Sequence, residues 1–214
     1  MNENNILGVV LAGGKSRRFG QDKSTVQLGN KTLLEHTLEK IDSSFSEILI
    51  ISNNEEIKFS KKKIIIMKDC IGGQLGPLVG VLTAMKWIKQ FNKSYDWVAT
   101  FPCDTPFFDI KIIDEIKTKV NSKDYSLYFL NSNQKRHNIF GFWSLKLMNI
   151  LEEDIVKNNF RKVEDWANKI GVKTIDVTFD KFDPFLNINT KSDLEEAEKI
   201  LKKGVSQGNV AIQL

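Results

Sequence analysis

The chain has 214 residues, 41% of them hydrophobic and 27% charged, and a formal net charge of +4. That length suits one domain with a substantial core, and the composition excludes disordered and fibrous classes. The absence of any run of about eighteen apolar residues gives no reason to expect a membrane partner.

The two cysteines, Cys70 and Cys103, are too few for a disulfide framework, so a reducing, cytoplasmic setting is expected. Asn2 to Asn5 form no basic leader, and no secretory signal is expected. The modest positive charge suits an acidic small ligand better than a polynucleotide, whose binders gather cations in a stripe with aromatics. The one dense run, Lys61-Lys62-Lys63, reads as a solvated edge or loop, so nucleic acid is not an expected partner.

In chain order, Ile6 to Leu11 reads as a buried strand and Thr32 to Ile41 as a helix. Strands follow at Ile48 to Ser52 and Ile64 to Met67, then a helix from Leu78 to Ile88, a strand from Trp97 to Phe101 and a helix near Ile110 to Val120. Short apolar strands alternating with amphipathic helices predict a parallel sheet covered on both faces. Beyond them, Tyr125 to Leu130 and Ile139 to Trp143 read as strands, with a polar turn from Asn131 to Asn138 between them. Helices are expected at Ser144 to Val156 and Arg161 to Ile170, the latter closed by Gly171. A last strand is placed at Lys173 to Val177 and a last helix at Ser192 to Lys203, with Ser192 as its N-cap. Residues 1–203 are thus read as a single domain and 204–214 as a polar, frayed tail.

In open parallel sheets, ligands lie beyond the carboxyl ends of the strands, so the residues after each strand carry the functional question. After the first strand comes Gly13-Gly14-Lys15-Ser16-Arg17-Arg18-Phe19-Gly20-Gln21-Asp22-Lys23. It is no P-loop: Gly14 stands where G-x-x-x-x-G-K-[ST] requires lysine, and Val9 to Ala12 belong to the strand. Gly13 and Gly14 permit close backbone approach to a phosphate, and Arg17, Arg18 and Lys23 supply cations; a glycine turn with solvated cations is the ordinary alternative. No G-x-G-x-x-G supports a dinucleotide fingerprint.

Asp104, within Pro102-Cys103-Asp104-Thr105-Pro106, is a rigid carboxylate at a strand end. It suits magnesium, which takes few protein oxygens, or else caps the next element. Asn53 and Asp69, after the second and third strands, are candidates for a base or ribose, or ordinary polar strand ends. Gly76 and Pro77 open a helix whose N-terminus either faces an anion or simply begins there. His36 is read as structural, while His137 lies in a basic turn that could meet a second anionic substrate. Cys103 is read as a packed thiol, because no base is identifiable for it. Metal ligation by histidine and cysteine is not expected, since no C-x-x-C or H-x-x-x-H occurs. No G-x-S-x-G elbow occurs either.

Leu11-Ala-Gly-Gly-Lys-Ser-Arg-Arg-Phe-Gly20 with Asp22-Lys23 resembles the L-A-G-G-x-S-x-R-M-G-x-D-K signature of nucleotidyltransferases. Gly76-Pro-Leu-Val-Gly80, Pro102 to Pro106 and Asn187-Ile-Asn-Thr190 agree in order, and together they are most similar to molybdenum cofactor guanylyltransferases. The likeness runs to about Leu201.

It implies a Rossmann-like α/β fold of nucleotidyltransferase type. It further implies an Mg2+-dependent transfer of GMP from GTP to the terminal phosphate of molybdopterin. By the same resemblance Leu11, Ala12 and Gly13 contact the guanine nucleotide, Lys23 its phosphates, Asn53 and Asp69 its nucleoside end, and Asp104 both metal and nucleotide. Arg18 joins Lys23 and Asp104 as catalytic, and Asn187 and Asn189 stand near the second substrate or metal. Transient contacts with cofactor-handling proteins and apo-molybdoenzymes are implied as well.

Two departures stand out. Phe19 replaces methionine, and His137-Asn138 stands where His-Pro is common, which puts the local turn and a pterin contact in question. The rival expectations are a cytidylyltransferase acting on molybdopterin or another phosphorylated acceptor, and a nucleotide-binding protein without turnover. Gly13-Gly14, in place of the L-A-A-G of cytidylyltransferases, and Cys103 lean towards guanine.

Overall fold

A computed structural model describes residues 5–13, 22–73, 75–120, 125–203 and 210–213. The first strand, β1 (Ile6–Leu11), is followed by two short strands, β2 (Gln27–Leu28) and β3 (Lys31–Thr32), and by helix α1 (Leu33–Ile41). Next come β4 (Ile48–Ile51), β5 (Ile64–Met67), α2 (Pro77–Gln90), β6 (Trp97–Pro102) and α3 (Ile110–Lys119). The later half supplies β7 (Leu127–Ser132), β8 (Lys135–Ser144), α4 (Met148–Val156), α5 (Val163–Ile170), β9 (Lys173–Phe179), α6 (Lys191–Lys202) and β10 (Val210–Gln213).

Eight strands form one sheet in the order β10-β9-β7-β8-β6-β1-β4-β5, and β2 and β3 pair separately. β1 runs parallel to both β4 and β6, β4 to β5, and β7 to β9. Among the described strands of the large sheet, β8 and β10 run antiparallel to their neighbours. The architecture is the expected mostly parallel α/β sheet with helices on both faces.

The pleat decides which helix covers which face, because successive side chains in a strand point to opposite sides. Ile6 and Val10 pack with Leu34 and Leu38 of α1 and Ile112 and Ile116 of α3. Leu7 and Val9 pack with Val81 and Met85 of α2, Leu151 of α4 and Trp166 of α5. A third, smaller core joins Val26 and Leu28 to Ile188 and to Ala197 of α6.

Caps explain several boundaries. Thr32 and Glu35 form a capping box at α1, with Glu35 N donating to Thr32 Oγ1 over 3.1 Å and Thr32 N to Glu35 Oε2 over 2.7 Å. α6 starts earlier than expected: Thr190, not Ser192, is the N-cap, and Asp193 returns the bond to the Thr190 N–H. Gly171 closes α5 with φ 86°, as expected.

Two further expectations fail. The stretch Asn131 to Asn138, expected as a turn, is mostly strand, because the chain reverses tightly at Asn133 and Gln134, both at positive φ, and pairs Ser132 with Lys135. The tail is not frayed throughout either: Val210–Gln213 pairs antiparallel with β9, supplying ladder bonds to what would otherwise be an edge. No described helix is long and apolar enough to cross a membrane.

Candidate functional site

The chain order reverses beside β1: β4 and β5 lie on one side and β6 on the other. Leu11 pairs with Ile51 of β4 and Pro102 of β6, and Ile51 with Met67 of β5. Four strands therefore end at one level, and the residues that follow them share a rim at the switch point. Ala12 N–H still donates to Ile51 O over 2.9 Å, which holds the start of the first loop against β4.

A cavity of about 620 Å³ opens on this rim. That is within the usual range for a pocket holding a small molecule. Leu11, Ala12 and Gly13 line it from β1, and Asn53 and Asp69 from the ends of β4 and β5. Lys23 and Asp104 face it from the first loop and the end of β6. Arg18 lies outside the described residues.

Lys23 Nζ donates to Asp104 Oδ2 over 2.7 Å, with both side chains 19% exposed, and also to the Asn189 side-chain carbonyl. The backbone carbonyl of Asp104 accepts from Ile188 N–H at 2.8 Å, so the segment before α6 is tied to the β6 loop. Asn189 N–H donates in turn to Asp193 Oδ2 over 2.8 Å. Burial alone would raise the Asp193 carboxyl, but the Asn189 and Thr190 donors outweigh it and hold the group below its ordinary value. The Asn187 carbonyl oxygen accepts from the buried Thr105 hydroxyl at 2.6 Å.

Asn53 and Asp69 form a second pair on the same rim. Asn53 Nδ2 donates to Asp69 Oδ2 over 2.8 Å, and Asp69 N–H to Asn53 Oδ1 over 3.2 Å. Burial raises the Asp69 carboxyl above its ordinary value, and the Asn53 donor restrains the rise.

Asp22 lines the cavity too, and the reading from sequence gave it no role. One carboxylate oxygen caps the short 3-10 turn Lys23–Thr25, accepting from Ser24 N over 2.9 Å and Ser24 Oγ over 2.7 Å. The other accepts from Asn54 Nδ2 at 3.0 Å, tying this turn to the end of β4. An Asp immediately before a helical turn is the sequence signal that could have shown it.

α2 opens on the cavity through Gly76, Pro77 and Gly80. Gly76 sits at φ 92° as the N-cap and has no side-chain cap. A Cβ on Gly80 would come within 2.8 Å of Leu11 Cδ2, so the glycine lets α2 lie close against the cavity wall.

Two polar candidates are structural. His137 is buried, stacked on Phe185 with 4.4 Å between ring centroids, and its Nε2 lies 2.7 Å from Ser132 Oγ. Desolvation lowers its pKa to about 4, so it is neutral and cannot greet an anion, which corrects the expectation from its basic surroundings. His36 Nε2 meets Leu28 O at 2.8 Å, as suits a structural residue. Burial, then the neighbouring Asp104, pushes the Cys103 thiol well above its ordinary range, which suits a packed thiol and not a nucleophile.

The sequence and fold have known counterparts. A family model described as the MobA-like NTP transferase domain matches residues 8–170. A Mesorhizobium japonicum protein named molybdenum cofactor guanylyltransferase is 30% identical over 205 residues, covering 94% of this chain and 98% of that one. A Haemophilus influenzae protein of the same name is 29% identical over 192 residues, covering 89% and 96%. The crystal structure of molybdopterin-guanine dinucleotide biosynthesis protein A from Archaeoglobus fulgidus matches with a TM-score of 0.74 at 23% identity. It covers 92% of this chain and 99% of that chain, a likeness of fold. With a family match over most of its length and relatives aligned nearly end to end, the chain belongs to the MobA-like NTP transferase family.

Proposed function

We propose that the protein transfers GMP from GTP to the terminal phosphate of molybdopterin, yielding molybdopterin-guanine dinucleotide and pyrophosphate. One observation carries this reading: the Lys23–Asp104 and Asn53–Asp69 pairs lie on the same cavity, as a triphosphate end and a nucleoside end require. The names of the relatives support the guanine nucleotide and the acceptor.

In this reading Asn53 and Asp69 hold the nucleoside, whose donors suit a carboxylate acceptor. The backbone of Ala12 and Gly13 lies alongside the phosphates, and Lys23 meets them with its charge. Arg18, from the family signature, is assigned to the same charge. An oxygen of the acceptor phosphate bonds to the α-phosphorus of GTP while the bond to pyrophosphate breaks. That phosphate is already anionic at neutral pH, so no protein base is needed. The neutral burial of His137 and the raised Cys103 thiol agree with such a scheme. Catalysis then rests on alignment and on charge placed where the transition state develops it.

The donor set also fits magnesium, which takes one or two carboxylates and completes its shell from phosphate and water. Among the described residues no group of three or more histidine, cysteine, aspartate or glutamate side chains forms a dedicated cage. Asp104 would hold the ion, with the Asn189 carbonyl oxygen beside it. When bound, magnesium supplies positive charge to the triphosphate and the leaving pyrophosphate.

The test is thermal stability with each of four nucleoside triphosphates, with and without Mg2+, followed by an assay for the dinucleotide product. GTP at a hundred times its dissociation constant should add about 2.7 kcal/mol. Stabilisation by CTP alone, or by none of the four, would overturn the reading.

A further inference from the structure

Resting on the functional reading above, we propose that Lys23 bars the metal site to free divalent cations. In this scheme the protein accepts its metal only together with the nucleotide. The ammonium of Lys23 contacts the Asp104 carboxylate and the Asn189 carbonyl. These are the hard donors that a divalent cation would use on this rim. A bound ammonium thus already satisfies them, and a metal arriving alone has to displace a charge of its own sign.

The surroundings make the lysine the part that moves. Asp104 is pinned through its main chain by Ile188 N–H at 2.8 Å, and Asn189 by its own N–H to Asp193 at 2.8 Å. The turn that carries Lys23 is held by the Asp22 carboxylate, which accepts from Ser24 N and Asn54 Nδ2, and the Lys23 carbonyl accepts from Val26 N–H over 3.2 Å. The charge of Lys23 sits at the end of a four-carbon stem, a flexible point donor that can change partners while the backbone stays in place. An entering triphosphate offers Lys23 new anionic partners and releases the Asp104 and Asn189 oxygens to the metal that accompanies it. Occupancy by nucleotide and by metal is therefore coupled, and the coupling works equally in both directions.

The experiment is Mn2+ binding without nucleotide, read from the electron paramagnetic resonance of the free ion. Lys23→Met should bind Mn2+ at least tenfold more tightly than the wild type, and adding Asp104→Asn to that variant should remove the gain. Equal affinity in wild type and Lys23→Met overturns the proposal, as does a gain that survives Asp104→Asn. Lys23→Gln carries the same expectation if circular dichroism shows that Lys23→Met does not fold. Binding of the GTP–Mn2+ complex to wild type is measured separately. Failure there defeats the functional reading, whereas success there with no gain in Lys23→Met defeats the lock alone.

Discussion

Asn53 and Asp69 hold each other through two hydrogen bonds, side chain to side chain at 2.8 Å and Asp69 N–H to Asn53 Oδ1 at 3.2 Å. They come from neighbouring strands, β4 and β5, so the parallel ladder builds the pair. Burial raises the Asp69 carboxyl and the Asn53 amide restrains it. Nucleotide affinity should therefore weaken as acid protonates Asp69. Asn53→Ala should move that loss to higher pH, because the restraining donor is gone. GTP titration calorimetry across the acid range checks both; an unchanged pH profile in the variant would count against Asp69 as a nucleoside ligand.

Asp104→Asn should cut turnover by roughly a hundredfold to a thousandfold, the scale for losing one charge-stabilising group. The fold should survive, because the Ile188 bond uses the Asp104 backbone carbonyl, which the substitution leaves in place. The lost ion pair is partly exposed and contributes about 1 kcal/mol at most. Dinucleotide formation and a urea melt, run side by side, distinguish the two effects. A variant at full activity would remove Asp104 from the mechanism.

Gly80→Ala tests the wall of the cavity. The new methyl would meet Leu11 Cδ2 at 2.8 Å and Ile51 Cγ2 at 3.5 Å. Alanine gains about 1 kcal/mol of helix propensity over glycine, and overpacking costs about 1–3 kcal/mol. Leu11 borders the cavity and can yield into it, which favours the low end of that cost. Stability should stay within about 1 kcal/mol of wild type while GTP affinity falls. A wild-type GTP dissociation constant would show that the wall tolerates the displaced leucine.

His137 sets an acid limit on stability. Its folded pKa is about 4 against an ordinary value of 6.5 because burial disfavours the charged ring. Between those values the unfolded chain binds the proton and the folded chain does not. Stability is therefore full above about pH 6.5 and declines as the pH falls towards 4, by up to about 3 kcal/mol. His137→Gln keeps a polar partner for Ser132 and should flatten that part of the profile. Urea unfolding from pH 7 down to 4.5 gives the comparison, and an unaltered slope in the variant would shift the effect to other groups.

The strand–helix alternation of the first half was legible because each element carries its own period. Ile6 to Leu11 is a continuous apolar run, and Leu33, Leu34, Leu38 and Ile41 recur at helical spacing. Local caps were legible only in part. Residue type pointed to Ser192 as the N-cap, and the contact of Asn189 and Thr190 N–H with Asp193 places the cap at Thr190 instead. β10 was hidden because four residues without a period become a strand only when β9 offers a ladder.

The sequence by itself determined which residue types stand after each strand, and hence that glycines, a lysine, an asparagine and two aspartates border one sheet edge. Only the tertiary structure decided which of them touch. Lys23 lies 81 residues from Asp104 and 166 from Asn189, and no local pattern spans such distances. The same holds for His137: its basic neighbours in the chain suggested an anion site, but the ring turns inward against Phe185, and burial decides its charge. Periodicity reports what a segment does with its own backbone. The partners of a side chain depend on strand order and on which face of the pleat it occupies, and these are properties of the assembled sheet.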